Sequence, residues 1–179
     1  MREEIVDSER IYAGRIVTLR KDTVRLEDGR VATREIIEHR PAVAIVPITD
    51  DGRIVLVRQW RVPANAELLE VPAGVIEPDE DIEVGLQREL QEETGYRAAR
   101  VRRLAGFFVA PGYTTEFIHV YLAEGLSESR LQADEDEEIT VELHTLDEAL
   151  ALIQRGEIRD GKSIIGLYAL ALERTLHGR

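Results

Sequence analysis

Gly74 to Tyr96 reads GVIEPDEDIEVGLQRELQEETGY, and the placing of its acids decides how the rest of the chain is read. Glu89, Glu92 and Glu93 fall within five positions, preceded by Arg88 and followed by Gly95. Residues three and four apart are neighbours on a helix, so the three carboxylates crowd one side of it, and each like-charged pair costs about 0.2–0.5 kcal/mol. Ile82, Leu86 and Leu90 recur at four-residue spacing and give the same segment an apolar side to seat on a core. Asp79 or Asp81 stands where an N-cap is needed, and Gly95 where a helix stops. A face that repels itself makes sense if something positive sits against it. Carboxylates converging from one rigid element suit a hard, oxygen-seeking cation such as Mg2+ or Mn2+. The plainer reading is a solvated acidic surface. Gly74, where backbone can approach a ligand closely, Glu80 near the helix start and Arg88 ahead of the triad all weigh against it.

Outward from this helix the chain alternates like strands. Residues 11–26 and 31–39 flank an Asp28-Gly29 turn, and Asp51-Gly52 leads into Ile54–Val57, both strong hairpin signals. The apolar run AVAIVPI at 42–48 reads as a buried strand. Leu68–Val71 is a short strand entering Pro72-Ala73-Gly74. Further strands are predicted at Val101–Val109, Glu116–Ala123 and Ile139–Leu143, and helices at Leu146–Arg155 and Ser163–Leu176. Many strands with few, late helices predict an α+β fold. The domain reading is an N-terminal strand extension, 1–40, ahead of a main domain, 41–179.

With 179 residues, 44% hydrophobic and 32% charged, the composition is that of a soluble globular chain. A net charge of −12 argues against nucleic acid or an anionic membrane, which demand a basic footprint. It also means that cations must mediate any contact with phosphate. No cysteine is present, which removes disulfides, thiolate metal sites and a cysteine nucleophile and fits a reducing cytoplasm. The first ten residues lack the apolar core of a signal peptide. The apolar stretch Ile164–Leu172 is about half a membrane span. His39, His119, His144 and His177 show no paired metal spacing.

Gly74, five residues, Glu80, seven residues, then REL-x-EE-x-G-Tyr96 resembles the box GX5EX7REUXEEXGU of the Nudix hydrolases, with Tyr96 in place of the usual aliphatic residue at the end. The resemblance implies the Nudix α/β/α sandwich with a mixed sheet. It also implies two or three Mg2+ (or Mn2+) ions per site, held by Glu89, Glu92, Glu93 and the carbonyl of Ala73. Gly74, Glu80, Arg88 and Gly95 then support the motif. Arg88 orients carboxylates by forked hydrogen bonds rather than reacting.

Beyond the box the chain is similar to the ADP-ribose pyrophosphatases of that family. Pro111 lies sixteen positions after Gly95, and Pro111-Gly112 followed by Glu116 resembles that group's SPGxxxE, with Ala110 where serine is usual. Val57-Arg58-Gln59-Trp60-Arg61 resembles its VRQxR, and Glu70–Gly74 its lead-in to the box. The resemblance implies Arg61 and Arg58 as diphosphate or ribose contacts, Arg34 and Glu35 as nucleotide contacts, and Trp60 as a base-stacking or interface residue. In the acid run 133–138 it implies Glu135 as the base and Glu137 as a further metal ligand, on a loop that closes over the substrate. Glu92 and Glu93 join Glu135 as catalytic candidates. The group is usually homodimeric with exchanged N-terminal strands, and residues 1–40 are long enough for that. Three alternatives stay open: hydrolysis of another NDP-sugar such as GDP-mannose or ADP-glucose, a Nudix-fold sensor that binds ADP-ribose without cleaving it, and an acidic interaction protein.

Overall fold

The hairpins and the box helix both form in the computed structural model, which describes residues 2–132 and 138–177. The strands are β1 (Glu4–Ala13), β2 (Thr18–Arg25), β3 (Val31–Glu38), β4 (Ala42–Pro47), β5 (Ile54–Arg61), β6 (Ala66–Glu70), β7 (Ala73–Val75), β8 (Tyr96–Phe108), β9 (Phe117–Glu128) and β10 (Thr140–His144). The helices are α1 (Ile82–Thr94), α2 (Leu146–Gln154) and α3 (Gly161–His177), with one 3-10 turn at Val62–Ala64.

The chain forms two compact units, Met1–Pro41 with Phe107–Phe117, and Ala42–Gly106 with Ile118–Arg179. The first holds an antiparallel sheet in the order β1-β2-β3. Segment 113–115 docks on β3, where Ile37 N donates to Tyr113 O (2.8 Å) and Thr115 N to Ile37 O (3.0 Å). The sequence reading of one strand from residue 11 to 26 needs correction. β1 starts at Glu4, and the chain reverses at Gly14–Val17, where Gly14 N donates to Val17 O (2.9 Å). All ten residues of β1 are exposed, so the period-two alternation that betrays a half-buried strand has no reason to appear.

In the second unit β4 lies inside a mixed sheet ordered β7-β4-β9-β8, parallel to β9 and antiparallel to β7. A second sheet, antiparallel, runs β10-β5-β6. All six residues of β4 are buried, as its unbroken apolar run predicts. Alternate residues serve opposite faces. Val43 and Ile45 join Ile76, Leu86, Leu90, Ala98 and Ala123 in one cluster under α1. Val46, of the other parity, meets Gly166 of α3, whose Leu167 and Leu170 are also buried. Helices thus cover both faces of a mixed sheet in an α/β/α sandwich of the α+β class. Truncating Leu86 or Leu90, both fully buried, to alanine would cost about 2–5 kcal/mol.

Both predicted ends of the box helix are in place. Asp81 Oδ1 accepts from Glu83 N (2.8 Å) as the N-cap. Gly95 ends α1 at φ 77°, a left-handed conformation natural to glycine, with its N–H on Gln91 O (3.1 Å). One local feature departs from the sequence reading and matters for the site. Ala73–Val75 forms a short strand, not only a turn, with Ala73 opposite Ala44 and Gly74 opposite Val43.

Candidate active site

The acids of α1 meet β7 at Ala73 and Gly74. Glu93 is buried, and its Oε2 accepts from Ala73 N at 3.0 Å. A burial of this kind costs a carboxylate dearly unless it is hydrogen-bonded. Glu89 packs against Gly74 so tightly that a β-carbon there would fall inside 3.0 Å of its Cδ and both carboxylate oxygens. The glycine of the box is therefore a steric necessity, because only a bare Cα leaves room for Glu89.

Arg88 organises the rest. Its Nε and Nη2 fork onto Glu80 (3.0 Å each), Nη1 reaches Glu89 Oε1 (2.6 Å) and Glu92 Oε2 (3.0 Å), and Nη2 also reaches Val75 O (3.1 Å). A guanidinium has five N–H donors, so this one is fully committed and has none left for a substrate. The hydrogen bonds to Glu80 are the largest cause of the raised pKa of Arg88, and in return they hold Glu80 below the ordinary carboxylate range. Like charges on one helix face are thus compensated by a cation of the same helix.

The donor set fits a divalent cation in its chemistry: hard carboxylate oxygens of Glu89, Glu92 and Glu93 beside a backbone strand end. As they stand, no three acidic or histidine side chains among the described residues are close enough to ligate one ion. Arg88 holds Glu89 through Oε1 and Glu92 through Oε2, so the carboxylates have to shift if they are to converge on one ion.

Strand pairing sorts the residues of β5. Val57, Gln59 and Arg61 share one face with Glu70 of β6, since Val57 lies opposite Glu70. Arg61 forks onto Glu70 through Nε and Nη2 (2.8 Å each). Its pKa is raised first by that hydrogen bond, and the charge of Glu93, an acid of the box, adds to the effect. Arg58 and Trp60 belong to the opposite face. There Arg58 Nε pairs with Glu142 Oε1 (2.5 Å), and Trp60 is exposed.

Arg34, Glu35, Pro111 and Gly112 all lie in the first unit. Arg34 is paired with Glu3 (2.5 Å), Glu35 is exposed on the same strand, and Pro111-Gly112 occupy the turn beside segment 113–115 that docks on β3. Glu135 and Glu137 lie outside the described residues.

A polar cluster beneath the site escaped the sequence reading. Glu70 is almost wholly buried and accepts from both Arg61 and Lys162 Nζ. Burial alone would raise its pKa, but the two cations outweigh it and hold the carboxyl below the ordinary range. Lys162 also pairs with Asp160 (3.0 Å), which caps α3 through Ser163 N (2.9 Å). Ser163 Oγ donates to Asp160 Oδ2 (2.6 Å) and accepts from Val71 N (2.8 Å). The run Asp160-Gly161-Lys162-Ser163 carries a legible helix-start signal, but its partners lie some ninety residues upstream, beyond the reach of local pattern.

Comparisons with known proteins bear on the family and the fold. The NUDIX domain model matches residues 38–165, and the Nucleoside diphosphate sugar hydrolase N-terminal domain model matches residues 3–37. The chain is 37% identical to the ADP-ribose pyrophosphatase of Bacillus subtilis (strain 168), over 100% of this chain and 98% of that one. It is 42% identical to the methanol dehydrogenase activator of Bacillus methanolicus, over 97% and 95% of the two chains. A crystal structure of an ADP compounds hydrolase superposes with a TM-score of 0.90 at 24% identity, covering 100% of this chain and 97% of the other, and shows the same fold. No helix among the described residues is long and apolar enough to cross a membrane. From its complete box, its fold and its full-length relatives, this chain belongs to the Nudix family of hydrolases.

Proposed function

We propose that this chain hydrolyses the pyrophosphate bond of ADP-ribose, using a divalent cation such as Mg2+, to give AMP and ribose 5-phosphate. The observation that carries the reading is the meeting of Glu89 and Glu93 with the Ala73–Gly74 backbone, on a chain with full-length similarity to an ADP-ribose pyrophosphatase. In this reading Glu89, Glu92, Glu93 and the Ala73 carbonyl hold the cations, two or three in number, with Glu137 as a further ligand. When bound, the cations neutralise the diphosphate and the charge that develops on the transferring phosphoryl group.

The chain's own residues do the rest. Arg61 presents its outer guanidinium edge to the diphosphate from the face of β5 that it shares with Glu70 of β6. Arg88 keeps Glu89 and Glu92 oriented, and Glu80 keeps Arg88 oriented. Water adds at one phosphorus, the bridging P–O bond breaks, and Glu135 takes the water's proton. Arg34 and Glu35, with Pro111 and Gly112, grip the nucleotide, and Arg58 and Trp60 contribute from the other face of β5. The exposed, edge-lying β1, with Ile5, Val6, Ile11 and Tyr12 open to solvent, supports a homodimer that exchanges N-terminal strands.

A second reading, a pyrophosphatase for another nucleoside diphosphate sugar, fits the N-terminal family match equally well, since ADP-ribose is one member of that substrate class. One experiment separates the two: hydrolysis of ADP-ribose, GDP-mannose and ADP-glucose with Mg2+ or Mn2+, with products identified. ADP-ribose should have the highest kcat/KM and yield AMP. A preference for a GDP-sugar would favour the second reading, and binding without turnover of any of them would refute both.

A further inference from the structure

We propose that Lys162, at the start of α3, is a positioning residue for diphosphate recognition, offsetting the charge of the buried Glu70 so that the field of Arg61 is left for the substrate. The inference rests on the functional reading above, in which Arg61 meets the diphosphate.

The geometry poses a problem that a second cation solves. Arg61 and Glu70 alone form a closed, neutral pair, forked through Nε and Nη2. An arginine cancelled in this way has little field to offer an anion. Glu70 holds the guanidinium plane through its fork, and a glutamine in its place keeps the shape and one acceptor oxygen without the charge. Lys162 Nζ bonds the same Oε2 that receives Arg61 Nη2. Glu70 is therefore shared between two cations, and because Asp160 pairs with Lys162 the four charges balance, whereas without Lys162 the cluster would carry one net negative charge.

The exposures agree with this division. The side chain of Arg61 is 38% exposed and that of Lys162 only 12%, so the cation that faces outward is Arg61 and Lys162 stays beneath it. Arg61 Nη1 makes no hydrogen bond among the described residues, so the free edge of the guanidinium still has donors to give. Lys162 is itself fixed. Asp160 pairs with it and caps α3, and Ser163 ties that cap to Val71 N, two residues before Ala73. The same short stretch, Glu70 to Gly74, thus presents Arg61 to the substrate and a backbone end to Glu93.

The test compares wild type, Lys162→Met, Lys162→Arg, Glu70→Gln and the Lys162→Met/Glu70→Gln pair. Steady-state kinetics on ADP-ribose in saturating Mg2+ are read beside Mn2+ binding by EPR without substrate. Lys162→Met should raise KM about tenfold or more with kcat within about threefold, since it removes binding rather than chemistry. Mn2+ affinity should stay at the wild-type value. Adding Glu70→Gln removes the charge that Lys162 balanced and should return KM to within about threefold of wild type, as should Lys162→Arg alone. An unchanged KM in Lys162→Met, a double variant as poor as the single, or a joint fall in kcat and Mn2+ affinity would overturn the proposal. If Lys162→Met does not fold, Glu70→Gln alone decides. Its KM should not exceed wild type by more than about threefold, and a larger rise refutes the idea. Wild type that cleaves no nucleoside diphosphate sugar would refute the functional reading and this inference with it. Active wild type with an indifferent Lys162 would refute the inference alone.

Discussion

Gly74→Ala is the substitution whose outcome the geometry determines most sharply. The added methyl would stand inside 3.0 Å of the Cδ and both oxygens of Glu89. Carbon and oxygen atoms need about 3.5 Å, so the carboxylate has to retreat by roughly 1 Å or more. Glu89 is the end of a flexible side chain, while Gly74 is pinned in register opposite Val43. The side chain therefore yields and the strand does not. The structural loss is the hydrogen bond from Arg88 Nη1 to Glu89 (2.6 Å), worth about 1.5–3 kcal/mol as a bond between charged groups. For a chain of this size that lowers Tm by roughly 3–12 °C. The functional loss is far larger, because a misplacement of about 1 Å in a positioned group can cost roughly 100-fold in rate. The assay is Mn2+ binding by EPR and kcat/KM on ADP-ribose, each beside a thermal melt. A Tm lowered by no more than about 12 °C, with Mn2+ affinity and rate both down by about 100-fold, supports the site. Wild-type Mn2+ binding and turnover in a folded Gly74→Ala would refute the placing of Glu89 among the cation ligands.

Further outcomes follow from the same geometry. Glu93→Gln keeps the acceptor for Ala73 N but removes the charge, so activity should fall by orders of magnitude while circular dichroism and Tm stay close to wild type; normal turnover in saturating Mg2+ would end its role as a ligand. Glu80 is held below its ordinary value of 4.5, first by the hydrogen bond from Arg88. A depressed folded pKa adds stability that is whole above the unfolded value and drains away as pH falls through the folded one. Urea unfolding should accordingly show stability declining from near pH 4.5 downward, less steeply in Glu80→Gln, and an equally steep decline in that variant would contradict the assignment. Glu135→Gln and Glu137→Gln, made separately, should not both keep full rate between about pH 6 and 9, the range over which a general base is exposed by its pH profile; if both do, the base lies elsewhere.

Local signals carried the centre of this molecule. Gly95, Leu86 and Leu90 give the stop and buried side of α1 from sequence alone, and the start is narrowed to Asp79 or Asp81, of which Asp81 is the cap, because caps and helical period are local physics. The unbroken apolar run of β4 likewise announced a strand buried on both faces. β1 stayed hidden because it buries nothing and so has no alternation to show. Of the two arginines of VRQWR, the sequence reading prefers Arg61 as the contact and puts Arg58 second, and strand pairing separates them, with Arg61 on the face of Glu70 and Arg58 on the other. The clamp of Lys162 on Glu70 and of Ser163 on Val71 joins segments ninety-two positions apart, and no short-range pattern encodes such a contact.

The central claim is that the α1 carboxylates and the end of β7 cage divalent ions against a pyrophosphate. It is tested most directly by anomalous diffraction from crystals grown with Mn2+ and a non-cleavable methylene analogue of ADP-ribose. The account predicts manganese peaks bonded to Glu89, Glu93 and the Ala73 carbonyl, with the diphosphate oxygens completing their coordination. An ordered analogue with no manganese at those three groups would contradict it.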